Sequence, residues 1–246
     1  MKLSVIYEDE NILVIDKPAG ITVFPEAKTK EKTLIDCFLE KYSWMKNVGT
    51  PPRYGIVHRL DKDTSGILLV AKNNKTLSFL QDQFKNKLIE KKYLTLVSGK
   101  IKDKEGIVET LIGRAPKDRR KQKVYLKGSP EAKKEGLREA KTIWKVVEIF
   151  PGKKSDYTLL EVNPKTGRKH QIRTHLAHLG HPVVGDKLYS FKNQILPEGL
   201  TRQFLHAFYL KISLPDGKEI EFKTELPPEL KKILKNLTTE KQKYEL

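Results

Sequence analysis

Short apolar runs recur along the chain, and most of them alternate with polar residues or span only five or six positions, as β-strands do. Residues 2–20 predict two strands that form a hairpin around the polar segment Glu8–Asn11. "ILLVAK" (Ile67–Lys72) predicts a buried strand, and "KKYLTLVSG" (Lys91–Gly99) predicts another. These patterns indicate a protein rich in β-structure.

Two more strand pairs and two amphipathic helices are predicted further along the chain. "TIWKVVEIF" is expected to pair with "DYTLLEVNP", and "FLHAFYLKISL" with "EIEFKTEL" across a turn at Pro215–Gly217. Leu77, Leu80, Phe84 and Leu88 recur at helical spacing, and "PPELKKILKNL" predicts a surface helix. Because antiparallel pairs outnumber βαβ units, we expect an α+β fold. It would have a predominantly antiparallel, mixed β-sheet core and flanking helices, in a single domain over residues 1–246.

The charge of the chain indicates a polyanionic partner. The 246 residues include 48 Lys and Arg against 31 Asp and Glu, a formal net charge of +17, which favours nucleic acid. No apolar run approaches the roughly 20 residues of a membrane-spanning helix, and the first residues lack a signal-peptide pattern, so we expect a cytoplasmic protein. Cys37 is the single cysteine, which excludes an internal disulfide, and we expect it to be a small buried apolar residue.

The segment "HRLDKDTSG" (His58–Gly66) concentrates charged and hydroxyl residues between apolar runs. Asp61, Asp63 and Ser65 match the first, third and fifth positions of a calcium-binding EF-hand loop. The twelfth position, which should be a bidentate Glu, is Lys72, and it lies in a predicted strand. The segment is therefore either a solvated turn or part of an active site, and calcium binding is not expected.

A second polar segment, "KTGRKHQIRTHLAHLGHPVVGDKLY" (Lys165–Tyr189), predicts a helix after a Thr-Gly turn. Ile172, Leu176 and Leu179 form its apolar stripe. Arg173 lies beside the stripe, so we expect its guanidinium at the rim of a packed face. The four histidines lack the spacing and the partner ligands of a zinc site, and no metal site is predicted.

Taken together, these segments resemble the RluA-type pseudouridine synthases. Four blocks match in order, "YEDENILVIDKPAGITVFP", "HRLDKDTSGILLVAK", "KKYLTLVSG" and "TGRKHQIRTHLAHLGHPVVGD", followed by "LHA". The resemblance implies an enzyme that isomerises uridine to pseudouridine within RNA, without cofactor or metal. It also implies the pseudouridine synthase fold, in which two lobes share one sheet around a central catalytic cleft. We expect no S4 RNA-binding domain, because the first block begins within the first ten residues, and we expect a monomer.

The resemblance also implies roles for individual residues. Asp61 matches the nucleophile, whose carboxylate must be ionised, and Arg173 in "HQIR" matches the cation that favours this ionised form. Tyr93 matches the tyrosine that packs on the target uracil and takes the C5 proton. Whether the carboxylate attacks C1′, promotes a glycal or adds to C6 of the base stays open.

Further residues are expected to contact the RNA. The resemblance implies that Arg59 fills the space left by the displaced base and that Leu205 lines the pocket. The simpler alternative for Arg59 is a phosphate contact. His58 belongs to the same substrate-binding loop, where we expect it to be a structural hydrogen-bonding residue.

The basic segment Arg114–Gly128 predicts a loop or hairpin that binds RNA phosphates through Arg119, Arg120 and Lys121, although a merely solvated run of charge is the alternative. Two other functions stay open besides an enzyme acting on ribosomal or transfer RNA. One is a non-catalytic RNA-binding protein that keeps the fold. The other, an aspartate-nucleophile hydrolase of phosphate esters, would need a metal site that the sequence does not offer.

Overall fold

The computed structural model describes residues 3–25, 31–152 and 154–242. The chain divides into two compact units, the first made of residues 1–91 and 207–225 and the second of residues 92–206 and 226–246. The strands in the described residues are β1 (Ser4–Glu8), β2 (Ile12–Lys17), β3 (Ser65–Ala71), β4 (Glu90–Ser98), β5 (Glu105–Arg114), β6 (Gln122–Tyr125), β7 (Arg138–Phe150), β8 (Tyr157–Pro164), β9 (Leu205–Ser213) and β10 (Glu219–Lys223). The α-helices are α1 (Leu34–Lys41), α2 (Asn74–Lys85), α3 (Gln171–His178) and α4 (Pro228–Gln242), and two short 3-10 helices span Ser43–Asn47 and Pro130–Lys133.

The first unit is built on strands β1, β2, β3, β9 and β10. β1 pairs antiparallel with β2, β2 with β3, and β9 with β10, while β9 lies beside β3. β3 is buried along its whole length, and its apolar side chains pack with those of β2, β9 and α2. The amino-terminal hairpin, the strand in "ILLVAK" and the pair around Pro215–Gly217 are therefore confirmed.

The second unit contains an antiparallel sheet in the order β4-β8-β7-β5-β6. Two apolar clusters flank this sheet. One includes Leu230, Ile233 and Leu237 of α4, and the other includes Ile172 and Leu176 of α3. The carboxyl-terminal helix thus has the predicted amphipathic pattern, and the α+β class with mostly antiparallel strands is confirmed.

Three local predictions were wrong, and two of the errors follow from where a helix ends. Leu88 follows α2 instead of lying on it and is 70% exposed, because Lys87 takes a positive φ of 61° just after the helix. Leu179 is the C-cap of α3 and is 39% exposed, so the buried stripe ends at Leu176. Cys37 lies in α1 and is only partly buried. Among the described residues, no helix has the length and apolar character needed to cross a membrane.

Candidate active site

Asp61 lies in the first unit, on a tight turn that leads directly into β3. The amide of Thr64 donates to the carbonyl oxygen of Asp61 at 3.1 Å, which closes a four-residue turn typical of an Asp- and Thr-rich segment. Asp61 is partly exposed, whereas Thr64 and Ser65 are buried at the start of the strand. The turn thus presents the carboxylate at the end of a rigid, fully buried strand.

Lys17, a fully buried residue at the end of β2, restrains this turn through hydrogen bonds from its ammonium group. Its Nζ donates hydrogen bonds to the carbonyl oxygens of Pro18 at 2.8 Å, Ile21 at 2.9 Å and Lys62 at 3.2 Å. Lys62 is adjacent to Asp61, so the ammonium group restrains the backbone that carries the predicted nucleophile. Lys17 could not be singled out from the sequence, because a lysine at the end of a strand is ordinarily exposed.

His58 contacts β3 and α2. Its Nε2 accepts a hydrogen bond from the amide of Leu69 at 3.0 Å, and its ring stacks on Phe84 with centroids 5.0 Å apart. Burial, and then the charge of Lys91, lower the pKa of His58 to about 3, so the imidazole is neutral. Arg59, by contrast, is exposed, with its guanidinium carbon 5.4 Å from the centroid of the Phe24 ring.

Arg173 lies on α3 in the second unit and forms a bidentate ion pair with Asp186. Nε lies 2.7 Å from Oδ2, and Nη2 lies 2.8 Å from Oδ1. The side chains are 7% and 0% exposed, so Arg173 is buried instead of lying at the rim of the packed face as predicted. The guanidinium carbon also lies 5.1 Å from the centroid of the Tyr189 ring.

The surroundings of Asp186 keep it ionised despite its burial. Burial alone would raise the pKa of this carboxyl group, but the hydrogen bonds and charge of Arg173 outweigh that effect. The amides of Leu188 and Tyr189 also donate to Oδ1, at 2.8 and 3.1 Å. The pKa of Asp186 is therefore held below its ordinary value, and the carboxylate fixes the Nε–Nη2 edge of Arg173 in one orientation.

A buried polar network holds α3 on the sheet. Nε2 of Gln171 donates to Oγ1 of Thr142 at 3.0 Å, and the two ring nitrogens of His175 lie 2.8 Å from Oγ1 of Thr142 and 3.0 Å from Oγ1 of Thr110. Burial, and then the charge of His178, lower the pKa of His175 to about 4, so its ring is neutral at pH 7. The network fixes the helix that carries Arg173 against β5 and β7.

Tyr93 and Leu205 meet at the same apolar cluster as this helix. Tyr93 lies opposite Val162 in the β4–β8 pair and packs, partly buried, against the cluster that contains Ile172 and Leu205. Leu205 itself is 3% exposed. The second unit therefore brings together Tyr93, Leu205 and the helix of Arg173, while Asp61, Arg59 and His58 belong to the first unit.

Of the two forms predicted for the basic segment, a loop or a hairpin, the structure shows the hairpin, formed by β5 and β6. Arg119 and Arg120 are exposed at its turn, and Lys121 is partly exposed. Asp118 engages Arg120 through Nε at 3.0 Å and Nη2 at 2.8 Å, which neutralises part of the predicted basic surface. The amide of Gln122 donates to the hydroxyl oxygen of Tyr189 at 2.7 Å and so links the hairpin to the Arg173 ion pair.

Within residues 3–25, 31–152 and 154–242, no three His, Cys, Asp or Glu side chains come together as a metal-ligand group.

Comparison with known proteins identifies the family of the chain. The family model described as RNA pseudouridylate synthase matches residues 11–178. An RNA pseudouridine synthase of Aquifex aeolicus (strain VF5) is 38% identical over 237 residues, which cover 94% of this chain and 72% of that protein.

Two further relatives extend this comparison. Ribosomal large subunit pseudouridine synthase D of Nitrosomonas europaea is 36% identical over 241 residues, which cover 94% of this chain and 64% of that protein. The solved structure of human RNA Pseudouridylate Synthase Domain Containing 1 superposes with a TM-score of 0.73 at 26% identity, covering 96% of this chain and 95% of that one.

Proposed function

Because the chain belongs to the RNA pseudouridylate synthase family, we propose that it isomerises uridine to pseudouridine in structured RNA, with ribosomal large-subunit RNA as its substrate. The ribosomal assignment is supported by relatives from Nitrosomonas europaea and Xanthomonas campestris pv. campestris that carry the name ribosomal large subunit pseudouridine synthase D. In this proposal, residues 1–246 act as one catalytic domain on cytoplasmic RNA, and transfer RNA is the competing substrate.

The reaction needs no oxidant, reductant or second substrate. The N1–C1′ bond of uridine breaks, the detached uracil turns, and a C5–C1′ bond forms. C5 then loses its proton and N1 carries one, so atoms and electrons balance within the nucleotide and solvent. The protein must supply a nucleophile or base, a cation that stabilises the ionised nucleophile, and a surface that holds the free uracil.

The observation that carries the site assignment is the buried Arg173 guanidinium, fixed by Asp186 next to the apolar cluster of Tyr93 and Leu205. In the proposed reaction, Asp61 supplies the carboxylate that acts as nucleophile or base, and Arg173 supplies a fixed positive charge. Tyr93 packs on the uracil and accepts the C5 proton. Family membership supports these roles because the matched residues 11–178 include Asp61, Tyr93 and Arg173.

The loop itself offers a matched pair of variants for the test. Asp61→Asn and Asp63→Asn make the same chemical change two residues apart in one turn. RNA labelled with tritium at C5 of uridine releases tritium to water when pseudouridine forms. We expect Asp61→Asn to reduce release to background while its RNA affinity is kept, and Asp63→Asn to stay within a few-fold of the parent.

The assay uses ribosomal large-subunit and transfer RNA transcripts, which carry no modification beforehand. Residual turnover of Asp61→Asn within tenfold of the parent would show that Asp61 is not the nucleophile. Release from transfer RNA alone would replace the ribosomal assignment. Binding of both RNAs by the parent without any release would instead favour the non-catalytic RNA-binding protein.

A further inference from the structure

The segment after Asp186 presents an aromatic side chain to solvent. Phe191 is 52% exposed, and no other Phe, Tyr or Trp among the described residues is as exposed. Ile195 and Leu196, a few positions later, are 43% and 46% exposed. Exposed apolar side chains that lie close together and are rimmed by polar residues are typical of a binding surface.

Phe191 and Leu196 line a cavity of about 200 Å³ whose other walls are mostly polar. Lys187 and Lys192 line it as well, and both are exposed. The one acidic side chain in the wall is Asp186, which is buried and already paired with Arg173. A cavity lined by an aromatic ring and two lysines is complementary to a nucleotide, which combines an aromatic base with a negatively charged phosphate.

Internal hydrogen bonds fix the segment that carries Phe191. The amide of Gln194 donates to the carbonyl oxygen of Phe191 at 3.2 Å, which closes a turn. The side chain of Gln194 donates to Oγ of Ser98 at 2.8 Å and accepts from the amide of Gly185 at 3.1 Å. The hydroxyl of Tyr157 donates to the carbonyl oxygen of Ile195 at 3.2 Å. Because these hydrogen bonds restrain the backbone of the turn, little backbone ordering is needed when Phe191 binds a base.

We propose that Phe191, with Lys187 and Lys192, forms a second nucleotide-binding site, which stacks an unpaired base of the RNA in addition to the uridine that is isomerised. The inference rests on the proposed function for its ligand, an RNA that carries unpaired bases. Stacking on Phe191 accepts any base, because every base has a π-face, so this site adds affinity for unpaired RNA without reading its sequence.

Binding of a fluorescein-labelled, non-self-complementary 8-nucleotide RNA tests the site without requiring catalysis. Phe191→Ala and Phe191→Leu should both weaken binding, by about 5- to 150-fold, because neither side chain has a π-face for stacking. Phe191→Trp should bind at least as tightly as the parent, with quenching of the new tryptophan emission by the RNA. Leu88→Ala, which removes a more exposed apolar side chain in the first unit, should leave the affinity unchanged.

Unchanged affinity of Phe191→Leu, or no binding of the RNA by the parent, would overturn the proposal. Sedimentation velocity of the parent and of Phe191→Ala distinguishes another occupant, because a self-association that the variant loses would assign the surface to a second copy of the chain. Failure of the proposed function has a different signature, the absence of tritium release by the parent. In the tritium assay, Phe191→Leu should raise KM and leave kcat within about twofold.

Discussion

Replacing Asp186 by Asn should destabilise the second unit more than any exposed ion-pair variant. Asp186 accepts from Nε and Nη2 of Arg173 and from the amides of Leu188 and Tyr189. Asn can keep the two amide donors at Oδ1, but its NH₂ group then faces the Nε–H donor of Arg173. The guanidinium stays buried and charged without its counterion, which costs about 3–5 kcal/mol.

The two tryptophans of the chain allow the loss of stability to be measured in the second unit, which contains Asp186. Trp44 lies in the first unit and Trp144 in the second, so a Trp44→Phe background leaves Trp144 as the reporter. Urea unfolding at pH 7, followed by Trp144 emission, gives the free energy of unfolding for the background and for Asp186→Asn. A loss smaller than about 1 kcal/mol would refute the view that this buried pair is tightly coupled.

The hairpin supplies a control with the same bidentate geometry at the surface. Asp118 binds Nε and Nη2 of Arg120, whose side chain is 77% exposed. Asp118→Asn should leave the unfolding transition unchanged, because solvent screens the charges and hydrates the released guanidinium. Asp186→Asn combined with Arg173→Met should recover part of the stability lost in Asp186→Asn, because no uncompensated buried charge is left and Oδ1 of Asn still accepts the two amides.

The strands could be predicted from the sequence because each is a short apolar run bounded by turn residues. β3 and the β9–β10 pair follow that pattern closely. The helix ends could not be predicted, because an apolar stripe continues in sequence after the helix has stopped. Leu88 and Leu179 fit the helical spacing, yet the backbone leaves the helix before Leu88 and at Leu179 itself, so neither side chain joins the buried stripe.

Some residues of the candidate site could likewise be predicted from the sequence, and others could not. Asp61 and Arg173 could be singled out because their residue types and neighbours resemble a known family. Lys17 and Asp186 could not, because their importance depends on tertiary neighbours. Lys17 reaches the carbonyl of Lys62 across 45 positions, and Asp186 reaches Arg173 across 13. One signal in the sequence is a charged residue that follows a short apolar run after a single glycine, as in "PVVGD".

Three further predictions test single features of the fold and of the RNA surface. Gly66→Ala should lower the melting temperature by several degrees, because the φ of Gly66 is 118° and a Cβ there would lie 2.2 Å from a carbonyl oxygen of β9. Gly20→Ala should lower the melting temperature less, because Gly20 also has a positive φ, of 89°, but has open space around the added Cβ. His175 has its pKa lowered by burial to about 4, so the stability that its neutral ring contributes is complete above pH 6.5 and is lost as the pH falls towards 4. His175→Gln should flatten that part of the curve of unfolding free energy against pH, and an unchanged curve would exclude His175 as its cause. Arg119→Ala should reduce the slope of log affinity for RNA against log salt by roughly 0.7 to 0.9, the value of one phosphate contact. Arg120→Ala should change the slope less, because a carboxylate already binds Nε and Nη2 of its guanidinium. Equal slopes for the parent and Arg119→Ala would mean that the hairpin turn is only a solvated surface, and a larger effect of Arg120→Ala would mean that its ion pair opens to bind RNA.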